Sequence, residues 1–229
     1  MADKENVAIA ENEPSSFRLI SALAMAGLIS GIVLVATFVY TNPLILANKE
    51  AALQRAIFKV LPDCASYETL HLEAGKLVVK ISTPGSEEKE KEDAVIYAGY
   101  NEDRELVGFA VPGSEPGFQD IITAIFGYDG NSEKIIGFEV LDSKETPGLG
   151  DKIEVAKADW IKGFNGLSVA NRNAQQWAVK KDGGEFDQFS GATITPRAVV
   201  RAVHQGLLYF KQHQSEILDI KPKEEVKHG

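Results

Sequence analysis

The chain has 229 residues, enough for one domain of ordinary size plus an appendage. Hydrophobic residues make up 44% and charged residues 25%, a globular composition that excludes wholesale disorder. The formal charge of -9 is the wrong sign for a nucleic-acid surface, and the single cysteine, Cys64, excludes an internal disulfide, a Cys-ligated iron–sulfur cluster and a Cys-based zinc site.

Residues 1–18 carry a net -2, from Asp3, Glu5, Glu11 and Glu13 against Lys4 and Arg18, and the remaining -7 lies beyond the next segment. Leu19 to Tyr40 is an uncharged run of 22 residues. At helical rise it spans roughly 33 Å, the thickness of a hydrocarbon core. Gly27, Ser30 and Gly31 are small residues of the kind that pack against neighbouring membrane helices. A cleaved signal peptide is the competing reading, but the run exceeds the usual apolar length and no clean small-x-small site follows. Residues 19–41 are therefore expected to be a retained anchor that Asn42-Pro43 ends, preceded by a tail over 1–18. The basic residues on the two sides do not decide its orientation.

From residue 42 to 220 the pattern is that of an α+β domain. Asn48 is placed to cap a helix over 49–61 with Leu53, Ile57, Val60 and Leu61 on one face, stopped by Pro62. Strands are expected at Leu77–Ile81, Ala94–Tyr100, Glu105–Val111, Asp120–Tyr128 and Lys134–Leu141. Turn residues at Asn101-Glu102-Asp103, Pro112-Gly113 and Asp129-Gly130-Asn131 separate the later ones, which predicts an antiparallel, twisted sheet flanked by helices. Two of these segments contain the similar phrases VGFAV and IGFEV. The charged stretch from Thr83 to Asp93, with Glu87-Glu88 and Glu92-Asp93, reads as solvated surface. A helix is expected around Ile153–Phe164 and a last one from about Pro196 to His213, before a polar tail over 221–229.

Chemistry concentrates at two places. Asp187-Gln188-Phe189-Ser190-Gly191-Ala192-Thr193-Ile194-Thr195-Pro196 is a small-residue turn leading into that last helix, whose apolar residues Val199, Ala202, Val203, Leu207 and Phe210 recur at helical spacing. Thr195 is the expected N-cap and Pro196 the first helical residue. Free backbone N–H groups and the positive end of the helix make such a turn an anion site. The hydroxyls of Ser190, Thr193 and Thr195 are candidate attachment points, and a plain helix cap is the alternative. Earlier in the chain, Glu145-Thr146-Pro147-Gly148-Leu149-Gly150 is a tight loop whose glycines let the backbone approach a ring, or simply turn.

Asp187, Ser190, Gly191, Ala192 and Thr193 resemble the flavinylation motif D-x-x-[ST]-G-A-[TS], and the E-T-P-G-L-G loop is similar to the one that faces the flavin in FMN-binding domains. With the anchor, the T-N-P-L-I-L-A-N-K-E-A-A-L segment and the hairpins, the chain resembles the G-subunit family of the Rnf electron-transport complex. The C subunit of the sodium-translocating NADH:quinone oxidoreductase is a close relative and an alternative. The resemblance implies a covalent FMN, joined as a phosphoester to Thr193 by a flavin transferase. Ser190, Gly191, Ala192, Glu145, Thr146, Gly148 and Leu149 would lie around the cofactor, and Asp187 would either help the transferase engage the motif or be a turn carboxylate. It further implies one inner-membrane anchor, an FMN domain on the periplasmic side, other Rnf subunits as partners, and electron transfer between ferredoxin and NAD coupled to Na⁺ or H⁺ translocation. The chain would be a redox relay of a translocase complex, not catalytic alone. A non-redox anchored binding or assembly protein, and a module with exchangeable FMN, are the other readings.

Trp160 and Trp177 are either flavin-stacking or core residues. The histidines at 71, 204, 213 and 228 show no ligand spacing, so no metal is expected. Cys64 reads as a packed thiol.

Overall fold

The computed structural model describes residues 16–73, 76–80 and 95–218. The expected loop over 83–93, the N-terminal tail over 1–15, the far-terminal tail over 221–229 and His228 lie outside them. The chain divides into two compact units, residues 1–50 and residues 51–229.

Helix α1 is Ser16–Val60. It contains a stretch long and apolar enough to cross a membrane, with mean hydropathy 2.4 and none of it buried. Contrary to expectation, Asn42-Pro43 does not end the helix and Asn48 starts no new one, because Pro43 lies inside α1. Proline removes one backbone donor and disfavours the helix, but it does not forbid it. Thr37 and Thr41 hydroxyls donate to the carbonyls of Val33 and Thr37 at 2.8 Å, using the helix itself as their partner.

In the second unit a six-stranded sheet runs in the order β2-β1-β3-β4-β5-β6, with every neighbouring pair antiparallel. The strands are β1 Ser66–Glu73, β2 Lys76–Lys80, β3 Val95–Tyr100, β4 Leu106–Pro116, β5 Ile121–Asp129 and β6 Lys134–Asp142. Strand β1 is not expected from the sequence, because SYETLHLE mixes polar and apolar residues. Pro112-Gly113 was expected to be a turn and is instead strand: Pro112 pairs with Ile125 and Gly113 with Ala124. The proline is tolerated because β3 has already left; its last pair with β4 is Tyr97 with Ala110.

Both sheet faces are covered, which is why β4 and β5 read as continuous apolar runs. The last turns of α1 cover one face, where Ala56, Ile57, Val60 and Leu61 pack with Ala110 and Ile125. Leu53 and Cys64 pack against this cluster. The Cys64 thiol donates to the Ser66 carbonyl, and burial pushes its pKa up, so it behaves as a packed thiol. Backbone approaches side chain closely on this face. A Cβ built at Gly127 would lie 2.0 Å from the Val60 carbonyl oxygen, at Gly137 2.9 Å from Val60 Cα, and at Gly99 2.6 Å from Leu61 Cδ1. The glycines of the VGFAV and IGFEV phrases, Gly108 and Gly137, belong to this patch, and the phenylalanines after them, Phe109 and Phe138, point into the opposite core.

Helix α2, Ile194–Gln212, covers that opposite face. Val199, Ala202, Val203, Leu207 and Phe210 are buried, as their spacing predicts. Phe210 packs against Phe109 and Tyr128 with ring centroids 4.9 Å apart in each case. The backbone of α2 sits close to β4: a Cβ at Gly113 would lie 2.7 Å from the Ala202 carbonyl oxygen. A short helix α3, Gln214–Leu218, follows.

Between β6 and α2 no regular α-helix forms. The helix expected at Ile153–Phe164 is replaced by two 3-10 turns, Gly150–Ile153 and Trp160–Phe164. Two more follow at Ala174–Gln176 and Lys180–Asp182. Apolar side chains pin each turn separately: Ile153, Ile161 and Phe164 are all buried in the α2-side core. That anchoring favours short turns over one continuous axis.

Candidate functional site

The two motif regions meet through one side chain. Glu145 is only 6% exposed and Thr195 only 1%. The Thr195 hydroxyl donates to Glu145 Oε2 at 2.5 Å. The other carboxylate oxygen, Oε1, accepts from the backbone N–H groups of Phe118 at 2.9 Å and Gln119 at 3.1 Å. Glu145 therefore joins three segments: the β4–β5 turn, its own loop and the first turn of α2. All three partners donate to its two carboxylate oxygens. Glycines flank it. A Cβ at Gly117 would lie 2.5 Å from Oε1, and one at Gly150 would lie 2.7 Å from Oε2 and 2.8 Å from the Thr195 hydroxyl.

The rest of the loop wraps around Thr146. Its carbonyl accepts from the N–H groups of Leu149 and Gly150 at 3.1 Å and from Asp151 at 3.4 Å, and its hydroxyl accepts from Gln119 Nε2 at 3.0 Å. Gly148 has φ +76°, a left-handed conformation that favours glycine, and open space beside it. Lys144 pairs with Asp120 at 2.5 Å across the same turn, and this hydrogen bond holds the Asp120 carboxyl below its ordinary range. Asp151 is buried, with no partner for Oδ1 among the described residues.

The turn before α2 differs from its expected form. The N-cap of α2 is Thr193, not Thr195, and its side chain makes no capping hydrogen bond. Thr195 lies inside the first turn with its hydroxyl committed to Glu145, and Pro196 follows it rather than opening the helix. Local sequence favours Thr195-Pro196 as a cap; the buried carboxylate offers the Thr195 hydroxyl a better partner and draws it two residues inward. Ala192 closes the turn by donating to the Phe189 carbonyl at 3.2 Å. Gly191 has φ +78° and nothing within 4 Å of a built Cβ, so the turn is open on that side. Ser190 is exposed and Thr193 half-buried.

Neighbouring groups brace this turn. Arg197, in the first turns of α2, grips Asp182 with two hydrogen bonds of 2.5 Å, which lowers the Asp182 pKa. Trp160 Nε1 donates to the Asp187 carbonyl at 2.9 Å, and its ring packs edge-on against Phe189. The Asp187 side chain is exposed and pairs with Lys180 at 2.6 Å. Trp177 belongs to the core: it stacks on Phe186 and on His204, each 5.5 Å away. Of the two tryptophans, Trp160 fastens the turn before α2 and Trp177 lies in the core.

The β4–β5 turn, with Phe118 65% exposed, is the part of the site that local sequence reasoning misses. Its signal is the Pro116-Gly117 pair, which ends β4. Phe118, Leu149 at 43% and Ile194 at 42% exposure leave apolar surface on the three segments that Glu145 joins.

Residues 117–208 match the FMN-binding domain family. They span Glu145 with its loop, Asp187 and the turn from Ser190 to Thr193. The chain is also similar to proteins named as the G subunit of an ion-translocating oxidoreductase complex. It is 52% identical over 101 residues to that of Shewanella piezotolerans, covering 40% of this chain and 48% of the relative. It is 58% identical over 84 residues to that of Cereibacter sphaeroides, covering 37% and 38%. For that of Stutzerimonas stutzeri it is 62% identical over 82 residues, covering 36% of each. The chain thus spans less than half the length of these relatives. The crystal structure of Shewanella oneidensis NqrC shares the fold, with a TM-score of 0.56 at 21% identity over 74% of this chain and 99% of that one. The resemblance carried by the two motifs is thereby supported, and the α+β fold with its antiparallel sheet is as expected.

Proposed function

We propose that this chain is a single-pass, membrane-anchored electron-transfer protein, the G subunit of an Rnf-type ion-translocating oxidoreductase, with FMN joined as a phosphoester to the Thr193 hydroxyl. One observation carries the choice of residue. Of the three hydroxyls in the turn, Thr195 is buried and committed to Glu145, and Ser190 lies on the far side of Gly191 from the helix. Thr193 stands at the mouth of α2 with its hydroxyl unspent on capping.

The residues fit the cofactor. A phosphate on Thr193 would meet the open N–H groups of Ile194 and Thr195 and the positive end of a 19-residue helix. The open flank of Gly191 admits a bulky group there. The apolar surfaces of Leu149, Phe118 and Ile194 suit a flat ring, with Ala192, Thr146 and Gly148 around it. Bound FMN supplies one- and two-electron transfer, and the protein's part is to hold it, shield it and set its electrostatic surroundings. Attachment prevents loss of the cofactor outside the cytoplasm. Asp187, exposed beside the turn, is placed for recognition by a flavin transferase.

In this reading the FMN domain faces the periplasm, the other Rnf subunits are its partners, and the complex couples electron flow between ferredoxin and NAD to Na⁺ or H⁺ movement. The names of the similar proteins favour the Rnf-type assignment over the C subunit of the quinone-linked enzyme, whose likeness here is one of fold. Peptide mass spectrometry of the natively matured full chain tests the reading. The peptide holding Thr193 is expected to carry one FMN less water, Thr193→Ala to lose it entirely, and Ser190→Ala to keep it. Flavin released by acid precipitation would point to an exchangeable cofactor. A colourless, unmodified protein would leave only an anchored binding or assembly role.

A further inference from the structure

Glu145 is a buried carboxylate with three neutral donors and, among the described residues, no ion pair. The nearby charged pairs cancel among themselves: Lys144 is held by Asp120 and Arg197 by Asp182. Asp151, just past the loop, adds a second buried carboxylate, with no partner for Oδ1 among the described residues. Through Thr195 the Glu145 charge is fixed two residues from Thr193. An ion pair would attenuate that charge and bulk water would screen it; burial limits the screening.

We propose that Glu145 is a positioning residue that also lowers the reduction potential of the flavin attached at Thr193, through its buried negative charge. The inference rests on the reading of Thr193 as the FMN site. Adding electrons to the ring beside a fixed anion costs free energy, so the attached cofactor becomes harder to reduce and a stronger donor once reduced. The hydrogen bonds define the role of position and the charge defines the role of tuning, and substitutions separate the two. In Glu145→Gln the amide oxygen still accepts from Phe118 and Gln119, and the amide nitrogen donates to the Thr195 hydroxyl; only the charge goes. Glu145→Asp keeps the charge and shortens the reach.

The test is a spectroelectrochemical titration of the full-length, natively flavinylated chain in detergent. Each FMN takes two electrons from dithionite, which is oxidised to sulfite, with protons from the buffer, and returns them to ferricyanide. The midpoint potential of E145Q is expected to rise above that of the wild type, and that of E145D to stay near it. An E145Q protein that carries flavin at the wild-type potential overturns the inference. So does an E145D shift as large as that of E145Q, since geometry would then be the cause. Loss of flavin from E145Q alone would place the charge in attachment rather than tuning, and loss from both variants would make the role structural; either result also overturns it. A wild-type chain unmodified at Thr193 would sink the underlying reading, a failure visible in the mass spectrum before any potential is measured.

Discussion

The two faces of the sheet are built on opposite principles. On the α1 face, Gly99, Gly108, Gly127 and Gly137 bring strand backbone against Val60 and Leu61, and the cluster is small and aliphatic. On the α2 face, Phe109, Phe126, Tyr128, Phe138 and Phe164 fill an aromatic core beneath a helix whose N-cap is Thr193. The difference teaches where function can be housed. A face closed by backbone contact has no room for a cofactor, whereas a face held apart by large side chains leaves loops at its rim, and the site stands on those loops.

Three substitutions sharpen this contrast. Phe210→Ala removes the ring that meets both Phe109 and Tyr128, and is expected to cost about 3–5 kcal/mol of stability. Thermal melting in detergent measures it, and the molecules that remain folded should still carry flavin, because Phe210 lies near the far end of α2 from Thr193. Gly127→Ala attacks the other face. The new methyl meets the Val60 carbonyl, a backbone atom that cannot rotate away, so a loss of roughly 1–3 kcal/mol is expected with flavin content per folded molecule unchanged. A melting temperature equal to that of the wild type would mean that α1 is free to shift and that the glycine patch is not a tight joint.

The smallest effect concerns His204, which stacks on Trp177 beneath the site. Burial lowers its pKa in the folded protein. Below about pH 6.5, the ordinary histidine value, the unfolded chain takes up the proton more readily than the folded one, so stability falls as the pH drops through that range. The melting temperature is expected to decrease from pH 7.5 to 5.5, and the decrease to be smaller in His204→Phe, which keeps a ring on Trp177. An equal decrease in both would assign the pH dependence to other groups.

Much of this arrangement is legible in the chain. The apolar face of α2, the approximate places of β2, β3, β5 and β6, the anchor-length run and both motif segments follow from periodicity and turn residues, which are local properties. Local reasoning fails where a distant partner outbids a local one. Thr195 looks like a cap until Glu145, fifty residues earlier, claims its hydroxyl. Pro112 looks like a turn until the departure of β3 leaves its missing donor without consequence. Residues 153–164 look helical until separate core contacts hold their apolar side chains in two short turns.

By itself, then, the sequence determined the later strands and the apolar face of α2, which run is fit for a bilayer and which turn holds candidate hydroxyls, because these depend on neighbours a few residues apart. Only the tertiary structure decided that the Thr195 hydroxyl is taken, since that turns on a buried carboxylate whose donors come from two segments far apart in the chain. Burial makes every such partner count, and burial is a property of the folded whole.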